Sequence, residues 1–95
     1  MEISIKKYGH IISDKQIGDD LLEEIRNGLK TSKHVVLDFT EIKSMATFCS
    51  KQVFGRLYLD LKPENFYERI EFKNVNEDVK LLIKIGIQNA LDENP

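Results

Sequence analysis

Few side chains in this 95-residue sequence are of types that make or break bonds, and their spacing limits what each can do. Asp38 lies near the end of the apolar run His34-Val35-Val36-Leu37-Asp38-Phe39. The C-terminal end of a strand is where open α/β sheets place functional groups; the competing role for this carboxylate is to cap the turn at Thr40-Glu41. Thr47 stands at the start of a helical pattern, where a hydroxyl serves as a plain N-cap. The single cysteine, Cys49, has no disulfide partner and falls in an apolar-periodic stretch, so it reads as a small buried hydrophobe. His10 and His34 flank strands and lack an H-x-x-x-H or C-x-x-C partner, so no metal site is expected. Five glycines are spread singly and build no phosphate loop, so no cofactor is expected either. An active site needs a nucleophile, base or metal gathered in one concavity. Nothing here gathers them, and the expectation is a protein that is not an enzyme, with a minimal site around Asp38 and Thr47 as the remaining catalytic reading.

Composition narrows the partners. Fourteen basic against sixteen acidic residues give a net charge of −2, with the lysines scattered among carboxylates. Phosphate-binding domains usually gather a basic excess on one face, so nucleic acid is not an expected partner. No apolar run approaches the ~18 residues of a membrane span, and the alternating N-terminus has no apolar signal core. With one unpaired cysteine, a reducing, cytoplasmic setting is expected. The length suits one hydrophobic core, hence a single domain over 1–95.

The elements that must position these residues follow from periodicity. Residues 2–8 alternate, with Ile3 and Ile5 on one side, which predicts a strand; His10-Ile11-Ile12 is a short second one. Ser13-Asp14-Lys15-Gln16 has the form of a capping box with Ser13 as N-cap. Ile17, Leu21, Ile25 and Leu29, with Leu22 beside them, then space an amphipathic helix to about Lys30. Its outer face carries Asp19, Asp20, Glu23 and Glu24, which suits the helix dipole and reads as a solvated surface. The β-branched run at 34–39 predicts a strand buried on both faces. Cys49, Val53, Leu57 and Leu61 share one face of a helix over 48–61 that Pro63 stops. Residues 69–73 alternate as another strand, and Asn74 or Asn76 caps a last helix over 77–91 with Val79, Leu82, Ile83, Gly86, Ile87 and Ala90 inward. The order β(β)αβαβα predicts an α/β domain, a mixed or parallel sheet of about four strands with three helices.

The segment Val36-Leu37-Asp38-Phe39-Thr40-Glu41-Ile42-Lys43-Ser44-Met45-Ala46-Thr47 runs strand, turn, short apolar step, helix. It resembles the central segment of STAS-like domains, the class of anti-sigma-factor antagonists and of the cytosolic domains of sulfate transporters. A bacterial STAS-like family of unknown function is closer: Val36 to Phe39 and Phe54-Gly55 match its Leu-Asp-Phe strand and Phe-Gly step. Phe66 through Asn74 and Val79 to Leu91 resemble its closing strand and helix, so the likeness covers about 9–91. It implies a regulatory, non-enzymatic domain. In antagonist relatives a Ser or Thr at the start of the helix after this strand is phosphorylated by an ATP-binding kinase partner. A phosphate there would meet free backbone N–H groups and the positive end of the dipole. The sequence departs from both patterns. Ala46-Thr47 stands where antagonists have Asp-Ser, and Phe48-Cys49-Ser50-Lys51-Gln52 where the closer family has Ser-Phe-Ala-Asp-Glu. Asp14 stands where an Arg is expected. Thr47 is therefore the candidate phosphoacceptor beside its N-cap reading, with Ser44 and Ser50 behind it.

One pattern goes beyond the likeness. Phe48, Gln52, Gly55 and Leu59 follow i, i+4, i+7, i+11 on the face opposite Cys49, Val53 and Leu57, where an outer helix should be polar. Leu81 and Ile85 lie likewise away from the core-facing set of the last helix. These six residues are the candidate partner-binding surface, with Phe48 as anchor and Gly55 admitting a partner backbone. The competing reading folds residues 62–67 over them. The sequence thus points to an interaction module for a protein partner. The alternative is a homo-oligomeric assembly protein that uses the same ridge on itself.

Overall fold

The computed structural model describes residues 1–93; the last two positions of the expected 1–95 domain lie outside the described residues. The N-terminal alternation holds for three residues. Strand β1 (Glu2–Ser4) buries Ile3, and a 3₁₀ turn over Ile5–Tyr8 keeps Ile5 buried as well. Gly9 follows at φ 109°, a conformation that L side chains rarely adopt. Next come β2 (Ile11–Ile12), α1 (Lys15–Thr31), β3 (Val35–Asp38) and β4 (Ser44–Met45). A long helical run follows as α2 (Thr47–Ser50), a π-helical stretch (Lys51–Gly55) and α3 (Arg56–Arg69), then β5 (Ile70–Lys73) and α4 (Glu77–Glu93).

All strand pairs are parallel. The strand order β1-β3-β5 forms one sheet and β2-β4 a second, so the expected α/β domain with three helical rods and a small sheet is present as two parallel sheets, of three and two strands. The β2-β4 pair had only half a sequence signal: Ile11-Ile12 was legible, but Ser44–Met45 is too short and too mixed to read as a strand. Helices cover one face of the larger sheet. Val35, Leu37, Ile3 and Ile70 are buried, while Glu2, Ser4, Glu71 and Lys73 of the other face are exposed and Val36 is half-buried. The expectation of a β3 buried on both faces is thereby corrected.

Two caps differ in detail from the sequence pattern. Asp14, not Ser13, caps α1; its Oδ1 accepts from the N–H groups of Gln16 (2.8 Å) and Ile17 (3.1 Å). At α4 the cap is Asn76, whose Oδ1 accepts from Val79 N–H while its Nδ2 donates to Ile42 O. The acidic face of α1 is largely engaged within the chain: Glu24 holds Lys7 and the Tyr8 hydroxyl, Asp20 accepts from Gln16, and Asp19 from Gln52.

The helical run departs most from the i, i+4 reading of Cys49, Val53, Leu57 and Leu61. In the π stretch the N–H of Arg56 bonds to Lys51 O, five residues back, so one extra residue fits in the turn. That turns Val53 and Phe54 together into the core, both fully buried, while Leu61 is only half-buried. Phe54 packs with Phe39 and Phe72 at ring-centroid distances of 6.2 and 5.4 Å. Burying a side chain of this size contributes about 1.5–3 kcal/mol. At Lys62 the backbone breaks (φ 73°, ψ 156°), and Pro63 then starts a new helical turn, where its missing N–H costs little. The run therefore kinks and resumes, and Phe66 of the resumed turn is buried.

The run crosses α4 at very short range. A Cβ on Gly86 would lie 2.2 Å from Ser50 Oγ and 2.6 Å from the Ser50 carbonyl carbon; one on Gly55 would lie 2.7 Å from Ala90 Cβ. The buried Ser50 hydroxyl donates to Leu82 O at 2.8 Å, which satisfies it at this seam. Gly86→Ala should therefore destabilise the fold by about 1–3 kcal/mol through overpacking, despite alanine's better helix propensity. The shift would be read as a lower urea midpoint. Adding Ser50→Ala should not restore it, because the backbone contact at 2.6 Å remains.

Candidate functional site

The π stretch lies against α1 on one side and α4 on the other, and the outer surface it leaves is a groove of about 690 Å³. Leu22 and Arg26 of α1, Phe48, Lys51, Gln52, Arg56 and Leu59 of the central run, and Ala90 and Glu93 of α4 line it. Phe48 is 53% exposed, well beyond what a core-facing aromatic shows. Residues 62–67 do not cover it. Phe66 turns inward and Tyr67 packs edge-on against Tyr58 and Phe66, with ring centroids 6.0 and 5.2 Å apart. Leu59 is half-buried in the groove wall.

The rim is charged but internally paired. Asp60 accepts from Arg26 at 2.8 Å and from Arg56 at 3.0 Å, and Lys51 pairs with Glu93. Burial opposes ionisation of Asp60, yet the hydrogen bonds from Arg26 and Arg56 outweigh it and hold its carboxyl below the ordinary value. Arg26, Lys51 and Arg56 carried no readable signal in the sequence, since their convergence depends on how α1 meets the central run. Leu22 was visible as the residue widening the α1 stripe.

The six expected docking residues separate into three groups. Phe48, Gln52 and Leu59 share the groove. Leu81 and Ile85 are exposed on α4, 57% and 37%, but do not line it. Gly55 is not available to a partner. It is buried, and the close backbone approach it permits is used by Gly86 and Ala90 of the same chain. Gln52 is also less open than expected. Its Nε2 donates to Lys15 O (2.9 Å) and Asp19 Oδ1 (2.6 Å), bracing the run against α1 where Gly18 leaves space for the amide. Its buried Oε1 has no hydrogen-bond partner among the described residues.

Thr47 is the first residue of α2 and is exposed; the cap is Ala46, which makes no side-chain capping bond. The N-cap reading of Thr47 is corrected because the helix starts one residue earlier, with Ala46 as the last extended residue. Ser44 and Met45 pair with β2, and Ala46 N–H donates to Ile12 O at 2.8 Å. Of the other hydroxyls, Ser44 is exposed in β4 and Ser50 is buried in the α4 seam. Cys49 is buried with its thiol against Asp14 O, and burial pushes its pKa up, as suits a packed rather than a reactive cysteine.

Asp38 lies at the C-terminal end of β3, away from the groove. Its Oδ1 accepts from Thr40 Oγ1 (2.6 Å), Thr40 N–H (3.0 Å) and Asn74 Nδ2 (3.1 Å), so it organises the turn that enters Glu41 at φ 63°. The Thr40 hydroxyl, then Asn74 and the Thr40 amide, lower its pKa from 3.8 to about 2. A depressed carboxylate stabilises the fold above its unfolded value and loses that contribution as pH falls through the folded value. Asp38 should therefore contribute stability at pH 5 that disappears between about pH 4 and pH 2. Urea midpoints should fall less steeply over that window in Asp38→Asn than in wild type, and parallel slopes would contradict the assignment.

Among the described residues no three His, Cys, Asp or Glu side chains are placed to hold a metal ion, and no helix is long and apolar enough to cross a membrane. No curated protein and no solved structure matches the chain at a significant level. A family described as a STAS-like domain of unknown function matches residues 18–80, from α1 through the central run and β5 to the start of α4. With two-thirds of its length matched and the α/β architecture described above, this chain belongs to that STAS-like family.

Proposed function

We propose that this STAS-like module is a non-enzymatic regulatory domain that docks a protein partner in the groove beside Phe48. The observation that carries the reading is a half-exposed aromatic next to Leu59 in a 690 Å³ concavity, on a helix braced on both sides. Rigidly held aromatic anchors at the centre of a concave patch are where binding energy concentrates. The resemblance to antagonist domains favours an ATP-binding, kinase-like or signalling protein as the partner. Thr47 adjoins the anchor, so a phosphate there would add about two negative charges at the groove edge and alter docking. The non-enzymatic part of the reading is supported by Asp38, whose carboxylate is engaged in its turn, and by Cys49, which is packed.

Self-association is the second reading, and the exposed pair Leu81 and Ile85 on α4 is the specific feature that favours it.

Phe48→Asp should weaken capture of the partner at least ~30-fold, on the order of 2 kcal/mol, with the melting transition unchanged. Leu59→Asp should add to the loss. Affinity capture of wild type and variants from the source cell, with light scattering of the purified proteins, checks this. A variant that still retains the partner would overturn the docking role of the groove. A stable wild-type dimer with no partner, sensitive to Leu81→Asp, would move the function to self-assembly.

A further inference from the structure

A second concavity, sharing no lining residue with the groove, lies between the resumed turn of α3, β5, the segment before α4 and one flank of α4. It holds about 210 Å³ and is lined by Phe66, Tyr67, Phe72, Val75, Ile83 and Ile87, with Lys80 and Lys84 at its edge. Its chemistry is lopsided. The wall is aromatic and branched aliphatic, and among the described residues the only charged lining groups are two ammonium ions, with no carboxylate. Lys80, Ile83, Lys84 and Ile87 follow i, i+3, i+4, i+7, so one flank of α4 presents apolar floor and cationic rim together.

The two lysines are like charges at i, i+4, an arrangement that is mildly destabilising when nothing sits between them. Lys80 reaches Glu77 only at 3.5 Å, and Lys84 is exposed. Phe66 is fully buried, packs against Phe72 with ring centroids 6.1 Å apart, and meets Tyr67 edge-on at 5.2 Å. Tyr67, 65% exposed, lines the pocket as well and adds an amphipathic ring. Pockets with an apolar wall and a few convergent polar groups are the usual form of small-ligand sites; this one lies below their usual ~300–1,000 Å³, which restricts it to a small ligand.

We propose that this pocket binds a small organic anion made of one aromatic or branched apolar group and a short acidic arm. The apolar group would occupy the Phe66–Ile83–Ile87 wall, and the carboxylate would sit between Lys80 and Lys84. The volume admits a single ring with a short chain, and charge complementarity selects the anion over its neutral counterpart.

Titration of 3-phenylpropanoate against the isotopically labelled full chain, followed by backbone amide shifts, tests this. Expected are saturable shifts confined to Phe66, Tyr67, Phe72, Val75 and residues 80–87, with a dissociation constant in the millimolar range or below. The neutral 3-phenylpropanamide should bind at least tenfold more weakly, and so should 3-phenylpropanoate to Lys80→Ala/Lys84→Ala. Val75→Phe should compete by filling the space. Both variants sit at exposed or half-buried positions, and unchanged melting would confirm that they fold. No saturable shifts up to ~10 mM, shifts centred on Phe48 and Leu59 instead, or equal binding of acid and amide would each overturn the proposal.

Discussion

Where Ser50 and Gly55 meet Gly86 and Ala90, two helices touch with almost nothing between their backbones. This contact fixes the rest. It seats the central run against α4, while Gln52 and Gly18 form the matching close approach to α1 on the other side. A run held from both flanks cannot rotate, so its inward arc must accept Val53 and Phe54 together. The π-helical turn is how the backbone accommodates that demand. The same clamp leaves the outer arc of the run facing a groove, with Leu59 half-buried in its wall and Phe48 left exposed among the described residues.

Several of the best-anchored polar side chains hold backbone. Asp38 collects three donors in one turn, Asn76 satisfies both a carbonyl and the start of α4, and Arg69 donates to the carbonyls of Leu29, Ser32 and Lys33. Each links segments far apart in sequence at the ends of elements, where unpaired backbone groups would otherwise be left. The cations around the groove are likewise engaged with Asp60 and Glu93. Among the described residues, three cations against two carboxylates leave the rim net positive beside the apolar surface of Phe48 and Leu59.

Much of this was legible residue by residue. Period-2 alternation around Ile3 and period-3.6 spacing at Leu21-Ile25 and Val79-Ile83-Gly86-Ile87 report directly which side faces the core, because burial acts on every repeat of a regular element. The exposure of Phe48 could also be inferred, as an apolar residue set opposite the buried arc. The role of Gly55 could not. A glycine on an outer stripe and a glycine at an internal helix crossing look identical in sequence, and only the position of α4 distinguishes them. Pro63 was a sound stop signal, yet a stop does not say whether the chain turns away or restarts, and here burial of Phe66 decided for a restart.

The sequence by itself determined the alternation of strands and helices, many of the core-facing positions within regular elements and the presence of an apolar face in excess of what the core needs. Those are properties of local periodicity and of side-chain transfer from water. The tertiary structure alone decided that β2 pairs with β4, that Asp14 rather than Ser13 caps α1, that Gln52 serves as a brace, and that Arg26, Lys51 and Arg56 rim one groove while Lys80 and Lys84 edge another pocket. Each of these depends on residues distant in sequence arriving within a few ångströms, and local pattern holds no record of that distance.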